Sequence, residues 1–230
     1  MPRINTVLLD VGGVLLLPST EILRDLLLES GCDVGLERLR RAHYAATAAM
    51  DAQGGTRRDV YRRAFARACG VPAAEEERVV ERMRERLTGH DWTRVVDGVR
   101  EGLGRILAAG HRIGILSNST GTVDDMLSAA EVCQLGPGPG VPVEVIVDSG
   151  CVGEDKPDPR IFRLALDAMG IEESEAVYVG DTARADVDGA RNAGIAPIHL
   201  DPYGDCPDPR GDHRHVRDLG GIVALLGNAA

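Results

Sequence analysis

Residues 157–200, PDPRIFRLALDAMGIEESEAVYVGDTARADVDGARNAGIAPIHL, decide how the whole chain is to be read. They begin as a helix opened by proline and closed by Gly170, then pass into the apolar run AVYVG (176–180). A second helical stretch, ADVDGARNAG, closes at another glycine and is followed by the apolar run IAPIHL (195–200). Proline at the start and glycine just past the end mark helices, while short apolar runs between them mark buried strands.

The same rhythm extends upstream to residue 93. GVREGLGRILAAG precedes RIGILS (112–117); a helix at 121–130, a Gly/Pro loop at 136–142 and the strand VEVIVD (143–148) follow. At the amino end, TVLLD (6–10) before Gly12-Gly13 reads as one more buried strand and a tight loop. At the other end, 201–214 is polar and looped, and VRDLGGIVALL makes a last helix. Strands alternating with helices predict an α/β chain with a Rossmann-like, doubly wound parallel sheet, whose ligands bind outside the carboxyl ends of the strands.

Residues 19–92 break the alternation. ILRDLLLES, LERLRRAHYAATAAMDAQ, TRRDVYRRAFARACG and EEERVVERMRERLTG are helical in spacing, with no strand between them. This segment carries 13 acidic and 13 basic residues, so the rest of the chain holds the entire net charge of −10. Two units are expected: a core of residues 1–18 and 93–230, and an inserted helical cap domain at 19–92.

Composition narrows the function classes. Hydrophobic residues make up 43% of the 230 and charged residues 27%, a globular balance. No apolar run approaches the roughly 20 residues of a membrane span, and Asp10 with Gly12-Gly13 interrupts the apolar amino end, so no signal peptide is read there. With a net charge of −10 and seven aromatic residues, the chain lacks the basic face or stacking platform of a nucleic-acid binder. Five scattered cysteines without a C-x-x-C pair read as reduced structural thiols. A soluble cytoplasmic protein is expected, with neither membrane nor nucleic acid as partner; the oligomeric state is not legible.

Four strand ends deliver polar groups to one edge of the expected sheet: Asp10, Ser117-Asn118, the Lys156 loop, and Asp181. Each has a plainer reading. Asp10 before glycines is a common turn residue, Ser117-Asn118 can cap the helix near 121, and Asp181, Asp186 and Asp188 suit a helix start. The plain reading is kept for Asp188. Lys156 would be a solvated loop charge, yet it is the only lysine among 26 basic residues. A compact ammonium in a chain otherwise given to arginine suggests a place that a planar guanidinium cannot fill. Together the groups have a chemical logic: a carboxylate as nucleophile, a hydroxyl and an ammonium to hold a tetrahedral anion, and further carboxylates for Mg²⁺.

VLLDVGGVL, ILSNS, GEDKPDPRIF and VGDTARADVDGARNAG resemble, in order, the four motifs of the haloacid dehalogenase-like hydrolase superfamily, in the branch with a helical cap after the first strand. The resemblance runs from residue 6 to about 200. It implies that Asp10 attacks phosphorus and forms an aspartyl-phosphate that water hydrolyses. It implies a Mg²⁺ held by Asp10, the Gly12 backbone carbonyl and Asp181, with Asp186 close by or acting through water. Ser117 would donate to a phosphoryl oxygen, with Asn118 beside it, and Lys156 would neutralise both the phosphate and Asp10.

One position departs from the family pattern. Most phosphatases of this family read D-x-D, the second Asp serving as acid and base; here that residue is Gly12. Loss of a positioned acid/base typically costs about 10²–10⁴ in rate. The first expectation remains a Mg²⁺-dependent phosphomonoester hydrolase acting on a small phosphorylated metabolite, with water, a cap residue or a good leaving group making up the loss. A 2-haloacid dehalogenase acting through an aspartyl ester is the second, since halide leaves without a proton. A catalytically weak phosphoryl-ligand binding or regulatory protein is the third.

The cap is expected to choose the substrate. In its DAQGGTRRD loop, Gly54-Gly55 suits a hinge and Arg57 or Arg58 could meet a second anionic group. His43 and Tyr44 are possible substitutes for the missing acid/base, though a surface or core role is the plainer expectation for both. Trp92 is expected to anchor the junction between cap and core. His90, His111, His199, His213 and His215 show no ligand spacing tied to the motifs; at most, His213 and His215 would take up adventitious metal.

Overall fold

The computed structural model describes residues 4–55, 57–208 and 211–227. Its strands are β1 (Thr6–Leu9), β2 (Leu16–Leu17), β3 (Arg94–Val95), β4 (Arg112–Ser117), β5 (Cys133–Leu135), β6 (Val141–Val143), β7 (Val145–Asp148), β8 (Ala176–Gly180), β9 (Ala196–Leu200) and β10 (Arg214–Val216). Six of these form one parallel sheet in the order β10-β9-β8-β1-β4-β7. The chain moves outward from β1 through β4 to β7, then returns to the other side of β1 for β8. That reversal opens a crevice at the carboxyl end of β1, where Asp10 stands.

Alternation along the strands explains the layers. Val7, Leu9, Ile113, Ile115, Val177 and Val179 face one side of the sheet, against α5 (Val99–Ala108) and α6 (Val123–Ala129). Leu8, Leu116 and Tyr178 face the other, against Ile161, Phe162, Leu166 and Met169 of α7 (Pro159–Met169). Helix α7 begins at an Asp158 cap whose side chain accepts from the Arg160 amide, and it ends at Gly170 in the left-handed conformation, as Pro159 and Gly170 foretold.

Residues 19–92 fold as four helices, α1 (Thr20–Leu28), α2 (Leu36–Asp51), α3 (Arg58–Cys69) and α4 (Glu76–Arg86). They bury a core of their own, built on Leu23, Leu26, Leu39, Phe65, Val79 and Met83. The antiparallel pair β2–β3 ties this module to the sheet, with Leu16 opposite Val95 and Leu17 opposite Arg94.

Three local features differ from the sequence reading. The polar tail ends in a strand, β10, which adds to the edge of the sheet beside β9. The stretch after β8 enters its helix through a π-helical turn at Ala183–Asp188, because the Asp186 carboxylate folds back to accept from the Thr182 amide and hydroxyl at 2.9 and 2.6 Å. Such wide turns are rare and concentrate at functional sites. The loop before α6 is capped by Asp148, not by Ser117-Asn118: its carboxylate accepts from the amides of Gly121 and Val123 at 2.9 and 3.0 Å. No helix of the described residues is long and apolar enough to cross a membrane.

Candidate active site

Asp10 continues the β1 ladder by donating its amide to the Val179 carbonyl at 2.9 Å, which fixes its side chain over the crevice. The Lys156 main chain is bracketed by the Asn118 side chain, which accepts from the Lys156 amide at 2.8 Å and donates to its carbonyl at 2.9 Å. From that anchor the buried ammonium reaches Asp10 Oδ1 at 2.8 Å, Asp186 Oδ1 at 2.6 Å and the Tyr178 hydroxyl at 2.8 Å. Gly180 must be glycine here, since a Cβ would stand 2.3 Å from the Asp186 Cβ.

Asp10, Asp181 and Asp186 are all buried, and one oxygen from each lies within 4.8 Å of the others. Burial pushes Asp10 up to about 7; Lys156 pulls it down while Asp186 and Asp181 push it further up. Asp181 is lifted well above the usual carboxylate range, by burial first and by Asp186 second. Asp186 goes the other way: burial opposes its charge, but Lys156 and Thr182 together hold it below its ordinary value. One ammonium thus serves three buried carboxylates, and two of them remain under-compensated. Such a donor set suits a divalent cation, which would keep Asp10 and Asp181 ionised. The oxygens of Asp186 are taken by Lys156, Tyr178 and Thr182, so it serves chiefly to hold the ammonium and the loop.

The Gly12 carbonyl also faces this question. The bridge between Gly12 and Leu16 uses the Val11 carbonyl and the Gly13 amide, leaving the Gly12 oxygen out of it. A Cβ on Gly12 would meet the Trp92 ring at 3.2 Å, so the indole occupies the space beside Gly12. Gly13 is fixed for another reason: its φ is +70° and a Cβ would lie 2.0 Å from Asp181 Oδ2.

Helix α2 closes the site from the other side. His43, Tyr44, Thr47 and Asp51 are buried, and His43, Thr47 and Asp51 follow at four-residue steps along one face. The Tyr44 hydroxyl donates to the Gly13 carbonyl at 2.7 Å, and Thr47 donates to Asp181. The Asp51 carboxylate accepts from the Ala183 and Arg184 amides at 2.6 and 3.2 Å. His43 Nδ1 is 2.8 Å from the Tyr61 hydroxyl, and Nε2 stands 3.3 Å from Asp181 Oδ2. Burial drives the His43 pKa down to about 3 against the opposing charge of Asp10, so the ring is neutral at pH 7. The plain expectation of a core position holds for both, since His43 and Tyr44 are buried and Tyr44 belongs to the apolar core beside the sheet; both also touch the loops that carry Gly13 and Asp181. Thr47 and Asp51 were not singled out in the sequence; three polar residues four apart on a helix otherwise rich in Ala were the available signal.

Ser117 lies buried at the end of β4, the strand next to β1. Asn118 spends its side chain on the Lys156 backbone. Arg57 is exposed at the start of α3 and pairs with no acidic group among the described residues. Asp188 bridges Arg184 and Arg191 at 3.1 and 3.0 Å, away from the carboxylate group.

Comparison with known proteins agrees with this geometry. The chain is 49% identical over 57 residues to a phosphoserine phosphatase of Thermus thermophilus, covering 25% of this chain and 23% of the relative. It is 28% identical over 161 residues to Phosphatase MT3486 of Mycobacterium tuberculosis, covering 68% of each. Among solved structures, a 2-haloacid dehalogenase from Pseudomonas syringae pv. Tomato DC3000 superposes over 100% of both chains with a TM-score of 0.57 at 23% identity, a likeness of fold. The family model for haloacid dehalogenase-like hydrolases matches residues 4–194. This chain belongs to the haloacid dehalogenase-like hydrolase family.

Proposed function

We propose that the protein is a Mg²⁺-dependent phosphomonoester hydrolase that works through an aspartyl-phosphate on Asp10, with residues 19–92 as the cap over the site. The observation that carries this reading is the buried group Asp10, Asp181 and Asp186 around a single ammonium. Asp10, Asp181 and the Gly12 carbonyl would hold Mg²⁺, which supplies charge neutralisation for an incoming phosphate.

The free Asp10 oxygen attacks phosphorus, the ester P–O bond breaks, and the leaving oxygen departs with the electron pair. Water then attacks phosphorus, returning the Asp10 carboxylate and releasing phosphate. Lys156 and the Ser117 hydroxyl stabilise charge on the phosphoryl oxygens through both steps, and Asn118 acts by holding Lys156. Gly12 offers no proton, Trp92 fills the space beside it, and His43 is held neutral. The leaving group therefore takes its proton from water or departs without one. This favours small substrates with good leaving groups, such as acyl phosphates, over unactivated sugar phosphates.

The absent acid also favours a second reading, a 2-haloacid dehalogenase in which Asp10 attacks carbon and halide leaves unprotonated. A carboxylate pair suited to a divalent cation has no part in that reaction. Side-by-side assays separate the two: the phosphatase releases phosphate from an aryl phosphate only with Mg²⁺, whereas a dehalogenase releases halide from a 2-haloacid in EDTA. Halide release in EDTA without phosphate release would overturn the proposal.

A further inference from the structure

The tail after β9 gathers four side chains that the hydrolase site does not use. His199 lies in β9, His215 lies opposite it in β10, and the intervening loop returns Cys206 and His213 to the same place. One ligand-capable atom from each of these four lies within 4.8 Å of the rest. We infer that His199, Cys206, His213 and His215 form a second metal site, separate from the carboxylate group, that binds Zn²⁺ through three imidazole nitrogens and one thiolate.

The rings of His199 and His215 are already oriented for ligation by what their other nitrogen does. His199 Nε2 donates to the Asp181 carbonyl at 3.0 Å, which turns the Nδ1 lone pair inward. That Nδ1 is buried and has no hydrogen-bond partner, a cost that a metal would remove. His215 Nδ1 donates to Asp201 Oδ2 at 3.2 Å, leaving Nε2 for the ion. His213 Nδ1 faces Asp208 and Asp212 carboxylate oxygens at 3.6 and 3.7 Å, while its Nε2 lies 3.6 Å from Cys206 Sγ. Histidine ligands characteristically pair their second nitrogen with a carbonyl or carboxylate, as His199 and His215 do.

The spacing fits the ion. With Zn–S near 2.3 Å and Zn–N near 2.0–2.1 Å, a tetrahedral site places sulfur and nitrogen about 3.6 Å apart, as Cys206 and His213 are. Nitrogen and sulfur donors select Zn²⁺ over Mg²⁺ or Ca²⁺, and four protein ligands make a structural rather than an open catalytic site. Asp201 organises the loop for this purpose: its carboxylate accepts from the amides of Gly204, Asp205 and Cys206 at 2.9, 2.9 and 3.3 Å, presenting the thiol while it orients His215. Exposed His215 gives the ion a route in from solvent. The bound ion would clasp Cys206 and His213 to the sheet edge and, through His199, brace the Asp181 peptide.

The test is a Co²⁺ titration of the metal-stripped full-length chain, without an affinity tag, in excess Mg²⁺ so that the carboxylate group is filled. One equivalent of Co²⁺ should give the intense visible bands of four-coordinate cobalt and a near-ultraviolet thiolate-to-metal band, and Zn²⁺ should bleach both. The carboxylate group has no sulfur and cannot give the second band. Cys206→Ser should lose that band while retaining the circular dichroism of the folded chain, and Asp201→Asn should weaken affinity about 10–100-fold. A pale six-coordinate spectrum from the folded wild-type chain, or a thiolate band that survives in Cys206→Ser, would overturn the inference.

Discussion

Lys156 reaches three oxygens between 2.6 and 2.8 Å away, on Asp10, Asp186 and Tyr178. A tetrahedral ammonium has three donors for three such partners; a planar guanidinium is larger and directs its donors in a fork. Lys156→Arg is therefore expected to lower turnover of an aryl phosphate by about 10²–10³-fold and to lower the urea midpoint as well. An arginine variant near wild-type rate would contradict that geometry. The lone lysine was legible in the sequence, as was the missing carboxylate at Gly12. The neighbour of Gly12 was not, because Trp92 is eighty residues away and returns through the β2–β3 pairing and the Ser19 amide's bond to the Asp91 carbonyl. With a Cβ only 3.2 Å from the indole, Gly12→Asp should cost about 1–3 kcal/mol of stability by overpacking and should not raise turnover. Equilibrium urea unfolding and steady-state kinetics of the same variant check both halves; a faster, equally stable variant would mean that the indole yields freely.

Helix α2 shows what periodicity reveals and what it hides. Its apolar spacing and its existence were plain from LERLRRAHYAATAAMD, and Leu39, Ala42 and Ala46 do pack into the helical module. The polar stripe of His43, Thr47 and Asp51 was not plain, because a sequence pattern assigns polar residues to solvent and these are buried against the loop of Asp181 to Arg184. Asp51 has a measurable consequence. Burial first, opposed by the Ala183 and Arg184 amides, lifts its pKa from 3.8 to about 7. Between those values the folded chain keeps a proton that the unfolded chain has released, so this group's contribution to stability falls as pH rises from about 4 to 7. Asparagine cannot ionise. In EDTA, Asp51→Asn should gain on the wild type across that window, by an amount on the order of a few kcal/mol. Urea unfolding at several pH values checks it, and a difference that is flat with pH would refute the assignment.

Across the whole molecule, the central place of β1 follows from its sequence. TVLL is buried on both faces, as only an interior strand of a parallel sheet can be, and the crevice at its end collects Asp10, Ser117, Lys156 and Asp181 from four separate segments. Asp10, Ser117 and Asp181 were legible because each stands at or just beyond an apolar run, and Lys156 because it is the only lysine. The edge strand β10 was not, since RHV is three residues long, follows a polar loop and pairs on one side only. The same loop hides the approach of Cys206 to His199, which depends on how Asp201 turns the backbone rather than on any spacing.

In the proposed function, Asp10 is a metal-assisted nucleophile toward phosphorus. The direct measurement is phosphate release from an aryl phosphate by the wild type and by Asp10→Asn, each with Mg²⁺ and with EDTA. The wild type should turn over in Mg²⁺ alone, with a loss on the order of 10⁴-fold or more in the variant. Turnover that persists in EDTA, or that survives the substitution of Asp10, would contradict it.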